Sequence, residues 1–398
     1  MNKKKIQIAA CLLAGAIPVV GAVGANLDKK SPFAESIIAQ MAYEPTIKAE
    51  VNNMEIALLD GNILDVTTNY SKYVTEKYYG KLDQYAPKPV TLTWTAEDGA
   101  LYYTVSLSKS KDMSAPDTYQ TYVNSLTLED LFTGTDYYYQ ISAKYPEKVV
   151  KSRIFTFKTA ATTRTVFIDG VTNTRDIGGY YVENGTKRIK QGMVYRGAKL
   201  EQYLEHGLTG LTEESKNKML YEYGIRTDLD LRGEVSKSPL GDSVNFVNVS
   251  GPYYVGSSGI DSTNSSDKAH WTGTFREALI KEIKTFANPE NYPIYVHCSL
   301  GRDRTGTICY LINALCGVGE MDLFMDYELS FMSVMGNLDG QSPSNMVGGA
   351  FANLYNYMKN YVKGGTLAQN VEKFMLDIGI TQTEIDTIRS IMIEEVNA

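Results

Sequence analysis

The stretch that most limits how this chain can fold runs from Tyr292 to Cys316. Tyr292 to Val296 is apolar and reads as a buried strand, and Thr305 to Cys316 reads as an apolar helix. Between them stands His297-Cys298-Ser299-Leu300-Gly301-Arg302-Asp303-Arg304, with Thr305-Gly306 behind. A strand that passes through a short loop into a helix implies an α/β layer, and it leaves the helix N-terminus open. Unpaired N–H groups and the positive dipole end gather there, and both favour an anion. A free thiol is largely protonated near neutral pH and only the thiolate attacks, so Cys298 is well placed to serve as a nucleophile. The N–H groups of Ser299, Leu300, Gly301, Arg302, Asp303, Arg304 and Thr305 can ring the oxygens of a phosphate dianion. Gly301 lets the backbone curl without a Cβ in the way. Arg304, at C-x5-R spacing, offers a planar fork for two equatorial oxygens. Thr305 can hydrogen-bond the thiolate and ease its departure in a second step.

Such chemistry also needs an acid that reaches the leaving oxygen. Asp303 lies in the loop itself, and Asp230 ends a strand read over Ile225 to Leu231, toward the same edge. Both remain candidates, and Asp230 has a competing role as an ion-pair partner of Arg196 or Arg232. His297 reads as a hydrogen-bonding support to the loop. The only histidines are His206, His270 and His297, without paired spacing, so a metal mechanism is disfavoured and no cofactor is expected. Cys309 and Cys316 fall on one helix about 10 Å apart, too far for a bridge, and read as buried apolar filler.

A chain of 398 residues suggests two or three domains. The net charge of −7 argues against nucleic acid and against a polybasic hold on acidic lipid. Lys3, Lys4 and Lys5, the apolar run Ile6 to Val20 and the small residues Val23-Gly24-Ala25 read as a signal peptide over residues 1–25. The run is short for a stable membrane span, so the expectation is a secreted or extracellular protein. A lipidated Cys11 is the alternative, though most of the apolar run follows that residue. Residues 26–86 have no assigned role; Glu55 to Leu64 reads as a hairpin about Asp60-Gly61, and the Tyr-rich stretch after Asn69 has no clear period. From residue 87 to 160 the pattern alternates with period 2, as in Val90 to Trp94, Leu101 to Leu107, Tyr137 to Ile141 and Ile154 to Phe157. That spacing implies a β-sandwich. Residues 160–165 suit a linker, and residues 166–398 read as mixed α/β. Helices are expected over Thr212 to Tyr223, Thr274 to Ala287 and Gln382 to Glu394, and residues 256–266 as a loop.

Two resemblances follow from these residues. Trp94, Gly99-Ala100, Tyr103 and Val105, with Leu131-x-x-Gly134-Thr135-x-Tyr137, resemble a fibronectin type III domain, with Thr133 where a proline is usual. That likeness implies a spacer or docking module for a cell-surface or protein partner, and no chemistry. HCSLGRDRTG resembles the phosphate loop of the protein tyrosine phosphatase superfamily, and more narrowly the bacterial tyrosine/lipid phosphatases with an HCxxGKDRTG loop. Asn173 to Tyr180 (NTRDIGGY), Val194-Tyr195-Arg196-Gly197, Gly224 to Thr227 with Asp230-Leu231-Arg232, and Asp326 to Ser330 (DYELS) are similar to other marks of that family. Arg175 and Asp176 are read as bracing the loop. Arg302 stands where many relatives have Lys, which weakens any inference to phosphoinositides, and Asp228 stands where the strand signature has an apolar residue. The resemblance implies a protein tyrosine phosphatase-like α/β domain whose central sheet is flanked by helices. It implies a phosphoric monoester hydrolase that works through a cysteinyl-phosphate. Its substrate would be a phosphotyrosine protein, a phosphoinositide or an inositol phosphate. The alternative is an inactive phosphate-binding or adhesion module; arsenate reduction or sulfur transfer would leave the RDIGG and DLR segments unexplained.

Overall fold

The period-2 rows become strands, as alternating burial requires. The structure, a computed structural model, describes residues 47–59, 61–68, 87–204, 207–255, 274–333 and 349–396. Its first elements are β1 (Met54–Ile56), α1 (Gly61–Thr68), β2 (Val90–Thr93), β3 (Tyr102–Ser108), β4 (Asp117–Thr121), β5 (Ser125–Leu128), β6 (Asp136–Lys144) and β7 (Val149–Thr159). They form a five-stranded sheet in the order β1-β7-β6-β3-β4 and a two-stranded pair β2-β5. Along β6, Tyr137, Tyr139, Ile141 and Ala143 are buried while the residues between them are partly exposed. The Tyr137 hydroxyl accepts the Phe132 N–H at 2.8 Å, closing a corner before β6.

Residues 55–64 are not a hairpin. β1 pairs parallel with β7, Met54 opposite Phe157, and the chain then enters α1. Leu59, Ile63 and Val66 follow a helical rather than an alternating period, and burying them together requires the helix. The signal sequence, the Tyr-rich stretch 70–85, the loop 256–266, His206 and His270 all lie outside the described residues.

The chain falls into two compact units. One comprises residues up to Asn52 with Leu92–Leu126 and Tyr138–Thr156; the other comprises Asn53–Thr91, Thr127–Tyr137 and Phe157–Ala398. The second unit continues with β8 (Arg175–Asp176), β9 (Tyr181–Val182), β10 (Lys187–Ile189), β11 (Val194–Gly197), α2 (Glu213–Asn217), β12 (Thr227–Asp230) and β13 (Asn245–Asn248). After these come α3 (Thr274–Phe286), β14 (Ile294–His297), α4 (Asp303–Leu315), α5 (Glu320–Glu328), α6 (Ala350–Lys359), α7 (Leu367–Ile378), α8 (Gln382–Met392) and β15 (Ile393–Glu395). Its main sheet runs β13-β12-β14-β11-β8, parallel except for β8 at the edge.

Local signals account for most boundaries. The Thr212 side chain caps α2 by accepting the Ser215 N–H, and Thr366 and Thr381 close capping boxes on α7 and α8. Helix α8 stops at Met392, short of the expected Glu394, because Ile393–Glu395 pair antiparallel with β10 in a small sheet β15-β10-β9. Residues 160–165 are more than a linker. Arg164 is buried, bonds Asp176 at 2.9 Å and donates to the carbonyls of Asp130 and Leu131. Cys309 and Cys316 are free, buried core residues, and burial pushes both thiols up to about 12.

Candidate active site

Parallel strands β12 and β14 run side by side, and both open at their C-terminal ends onto one sheet edge. At that edge β14 ends on His297 and the loop starts with Cys298, which is only 5 % exposed. Helix α4 begins at Asp303, two residues earlier than the sequence pattern suggested, so the loop is a single tight turn of chain. Cys298, Ser299, Leu300, Arg302, Asp303 and Arg304 line a cavity of about 470 Å³ together with Tyr253, Tyr254 and Ala350.

The loop carbonyls explain what this cavity can hold. The Ser299 carbonyl accepts the Lys199 N–H at 3.3 Å, Leu300 accepts Asn173 Nδ2 at 3.0 Å, and Gly301 accepts Arg196 Nη2 at 2.9 Å. In a trans peptide each carbonyl points opposite to the following N–H. None of these three donors lines the cavity, and the N–H groups of Leu300, Gly301 and Arg302 point away from them. Gly301 makes the curl possible. Its φ is +71°, and a Cβ there would lie 2.2 Å from the Gly197 carbonyl oxygen.

Behind the loop sits a buried ion triad. Asp326 on α5 bonds Arg175 at 2.8 Å and Arg196 at 2.5 Å. Burial opposes ionisation, yet Arg196 and then Arg175 hold the Asp326 carboxyl below its ordinary range. Arg175 also reaches Asn173 Oδ1 at 2.6 Å and Ser330 Oγ at 3.1 Å. Asp176 accepts from the N–H groups of Gly178 and Gly192 as well as Arg164. Arg175 is therefore a brace for the loop, acting through Asn173 and Asp326, while Asp176 organises the turn beside it.

The two candidate acids are placed differently. Asp303 lines the cavity, and its Oδ1 accepts from the Tyr254 hydroxyl and from Arg302 Nε at 3.1 Å. The Tyr254 hydroxyl also bonds that of Tyr327. Asp230 is not among the described residues that line the cavity, and both of its oxygens bond Arg232 Nε, at 2.9 and 3.1 Å. Despite burial, Arg232 and the neighbouring His297 hold the Asp230 carboxyl below its ordinary range. Arg304 donates to the Leu231 carbonyl at 3.3 Å, and its guanidinium lies 5.4 Å from the centre of the Tyr253 ring. Arg302 is folded inward, 1 % exposed, with its guanidinium over Phe331. The Thr305 hydroxyl is buried without a hydrogen-bond partner among the described residues, so it does not bond Cys298 in this structure.

Tyr253, Tyr254 and Glu282 carried no recognisable signal in the sequence. The tyrosines follow β13 in a segment without period, and only the fold brings them to the loop. Glu282 is fully buried beneath Gly251, whose missing Cβ leaves it room, and burial lifts its carboxyl well above the usual range although Arg304 opposes this. Asn173, Arg196 and Asp326 lie in segments that resemble the family's marks, but only the fold shows their joint role.

A thiol at a strand–helix junction, an arginine at C-x5-R spacing and a tightly curled loop at a helix N-terminus make a cysteine-centred site suited to an oxyanion. Residues 166–394 match the model of the tyrosine phosphatase family, and the chain belongs to that family. It is 35% identical over 58 residues to a Dictyostelium discoideum protein named a tyrosine-protein phosphatase, covering 15% of this chain and 35% of that one. It is 26% identical over 174 residues to a Cupriavidus necator protein of the same description, covering 40% of this chain and 60% of that one. The chain thus spans less than two thirds of the length of these relatives. Among solved structures, an Fn3-like protein from Clostridium thermocellum is similar at 28% identity and a TM-score of 0.16, over 18% of this chain and 76% of that one.

Proposed function

We propose that this chain is a cysteine-dependent phosphomonoesterase acting on phosphotyrosine proteins, phosphoinositides or inositol phosphates. The observation that carries this reading is the set of three consecutive loop carbonyls bonded to Lys199, Asn173 and Arg196, which puts the following amides on the opposite face of the loop, where they can serve an anion in front of Cys298. In the first step Cys298 Sγ attacks phosphorus in line, an S–P bond forms and the P–O bond breaks. Asp303 gives its proton to the leaving oxygen. Arg304 and the loop amides hold the equatorial oxygens as charge develops. In the second step water attacks the cysteinyl-phosphate, Asp303 takes the water's proton, the P–S bond breaks and inorganic phosphate leaves.

Residues 1–25 act as the export signal in this reading, supported by their charge and apolar pattern. Among the described residues no helix is long and apolar enough to cross a membrane. The β-rich segment serves as a fibronectin type III-like sandwich for spacing or docking, supported by its alternating strands and Tyr137 corner.

The test is steady phosphate release from p-nitrophenyl phosphate by the full chain. Cys298→Ser is expected to abolish turnover while still binding the dianion. Full activity in that variant overturns the mechanism, and binding without turnover in the wild type points to an inactive phosphate-binding module. Comparing kcat/KM over the three substrate classes then identifies the substrate.

A further inference from the structure

His297 precedes the nucleophile and is completely buried, as is its partner Asp228 on β12. Its Nε2 lies 2.9 Å from Asp228 Oδ1, and its Nδ1 lies 3.3 Å from the Cys298 carbonyl oxygen. Both neighbours are acceptors. A neutral imidazole has one N–H and one lone pair, so one of these contacts would set lone pair against lone pair. The imidazolium satisfies both. The other Asp228 oxygen is fixed as an acceptor too. Ser238 Oγ accepts the Leu240 N–H at 3.0 Å and gives its own proton to Asp228 Oδ2 at 2.5 Å.

The groups facing His297 are few. From β12 come Asp228 and Asp230, with Arg232 just beyond; from its own strand and loop come Tyr295, whose ring centre is 5.4 Å away, and Cys298. Burial works against a charged ring here, yet Asp228, and behind it Asp230, lift His297 above the ordinary histidine range against the opposing Arg232. Asp228 stands where the family's strand signature has an apolar residue. The sequence showed that departure but not its partner in the loop.

We propose that Asp228 is a positioning residue that keeps His297 in its doubly donating form, so that a fixed positive charge stands behind the Cys298 thiolate. The consequence is a loop that becomes reactive at lower pH than a neutral histidine would allow. This rests on the reading of Cys298 as the nucleophile, but its test does not need turnover.

The experiment is alkylation of Cys298 in the full chain by iodoacetamide, read by peptide mass mapping across the acidic to neutral range. In Asp228→Asn the pH of half-maximal alkylation is expected to rise by about one unit, with a rate roughly tenfold lower on the acidic side and an unchanged plateau. Asp228→Glu should restore the wild-type midpoint. A merely structural role would lower the plateau or the melting temperature without moving the midpoint. A folded Asp228→Asn protein with an unmoved midpoint overturns the proposal. Should that variant fail to fold, nitrogen NMR of the wild type decides: His297 should carry protons on both ring nitrogens near pH 7, and a neutral ring there is equally fatal. Failure of the phosphatase reading would show separately, as wild-type protein that binds the dianion without releasing phosphate from p-nitrophenyl phosphate.

Discussion

Replacing Asp326 by Asn keeps the shape of the triad and removes its charge. Arg175 and Arg196, both completely buried, would then face each other with no anion between them. Breaking one partner of a buried pair costs about 3–5 kcal/mol, because the remaining charge stays desolvated. For a unit of this size, about 3 kcal/mol corresponds to a fall of roughly 6–12 °C in melting temperature. The pH dependence carries a sign. The Asp326 carboxyl is held below its unfolded value, so its contribution is fully present above the ordinary carboxylate value of about 3.9 and is lost as pH falls through the lower folded value. Asp326→Asn should therefore be less stable at neutral pH and should lose less stability than the wild type on acidification through that window. Activity should fall with it, since Arg196 links Asp326 to the Gly301 carbonyl. Thermal and urea unfolding at neutral and acidic pH measure all of this. A loss below about 1 kcal/mol at neutral pH would refute the assignment of the triad as the loop's foundation.

Two further outcomes follow from the loop and its acids. Gly301→Ala should lower kcat/KM for p-nitrophenyl phosphate by about a hundredfold or more, because a Cβ would sit against the Gly197 carbonyl and displace the amides by roughly an ångström; near-normal activity would show that the curl is not needed. Asp303→Asn should cost about 10²–10⁴ in kcat for an alkyl phosphate and far less for a good leaving group, whereas Asp230→Asn should show no such dependence; the reverse pattern would exchange their roles.

The sequence made the loop legible because its parts are contiguous and each has a local reason: an apolar strand, a thiol, a glycine that permits positive φ, an arginine and a helix. The strands of the β-rich segment were equally plain, since Tyr137, Tyr139 and Ile141 alternate as buried residues of a sheet must. What stayed hidden depends on contacts between distant segments. Asp228 showed only as a charged residue at an apolar position of the signature, because its partner, His297, is reached only once β12 and β14 pair. Arg164 looked like part of a polar linker because its carboxylate and carbonyl partners lie in two other segments. Residues 55–64 misled for a different reason: short apolar runs about an Asp-Gly pair fit a hairpin and a helix start alike, and tertiary burial of Leu59, Ile63 and Val66 decided between them.

Helix α1 has a bearing on how this protein comes to be made. Leu59, Ile63 and Val66 belong to the same core as Phe351, Phe374 and Met392, so one hydrophobic interior is assembled from residues near both ends of the described chain. As the polypeptide leaves the ribosome, the apolar face of α1 has nowhere to go until almost everything after it has been synthesised. The boundary drawn before residue 166 is thus a boundary of pattern and not of folding. A fragment starting there would be born with a gap in its interior.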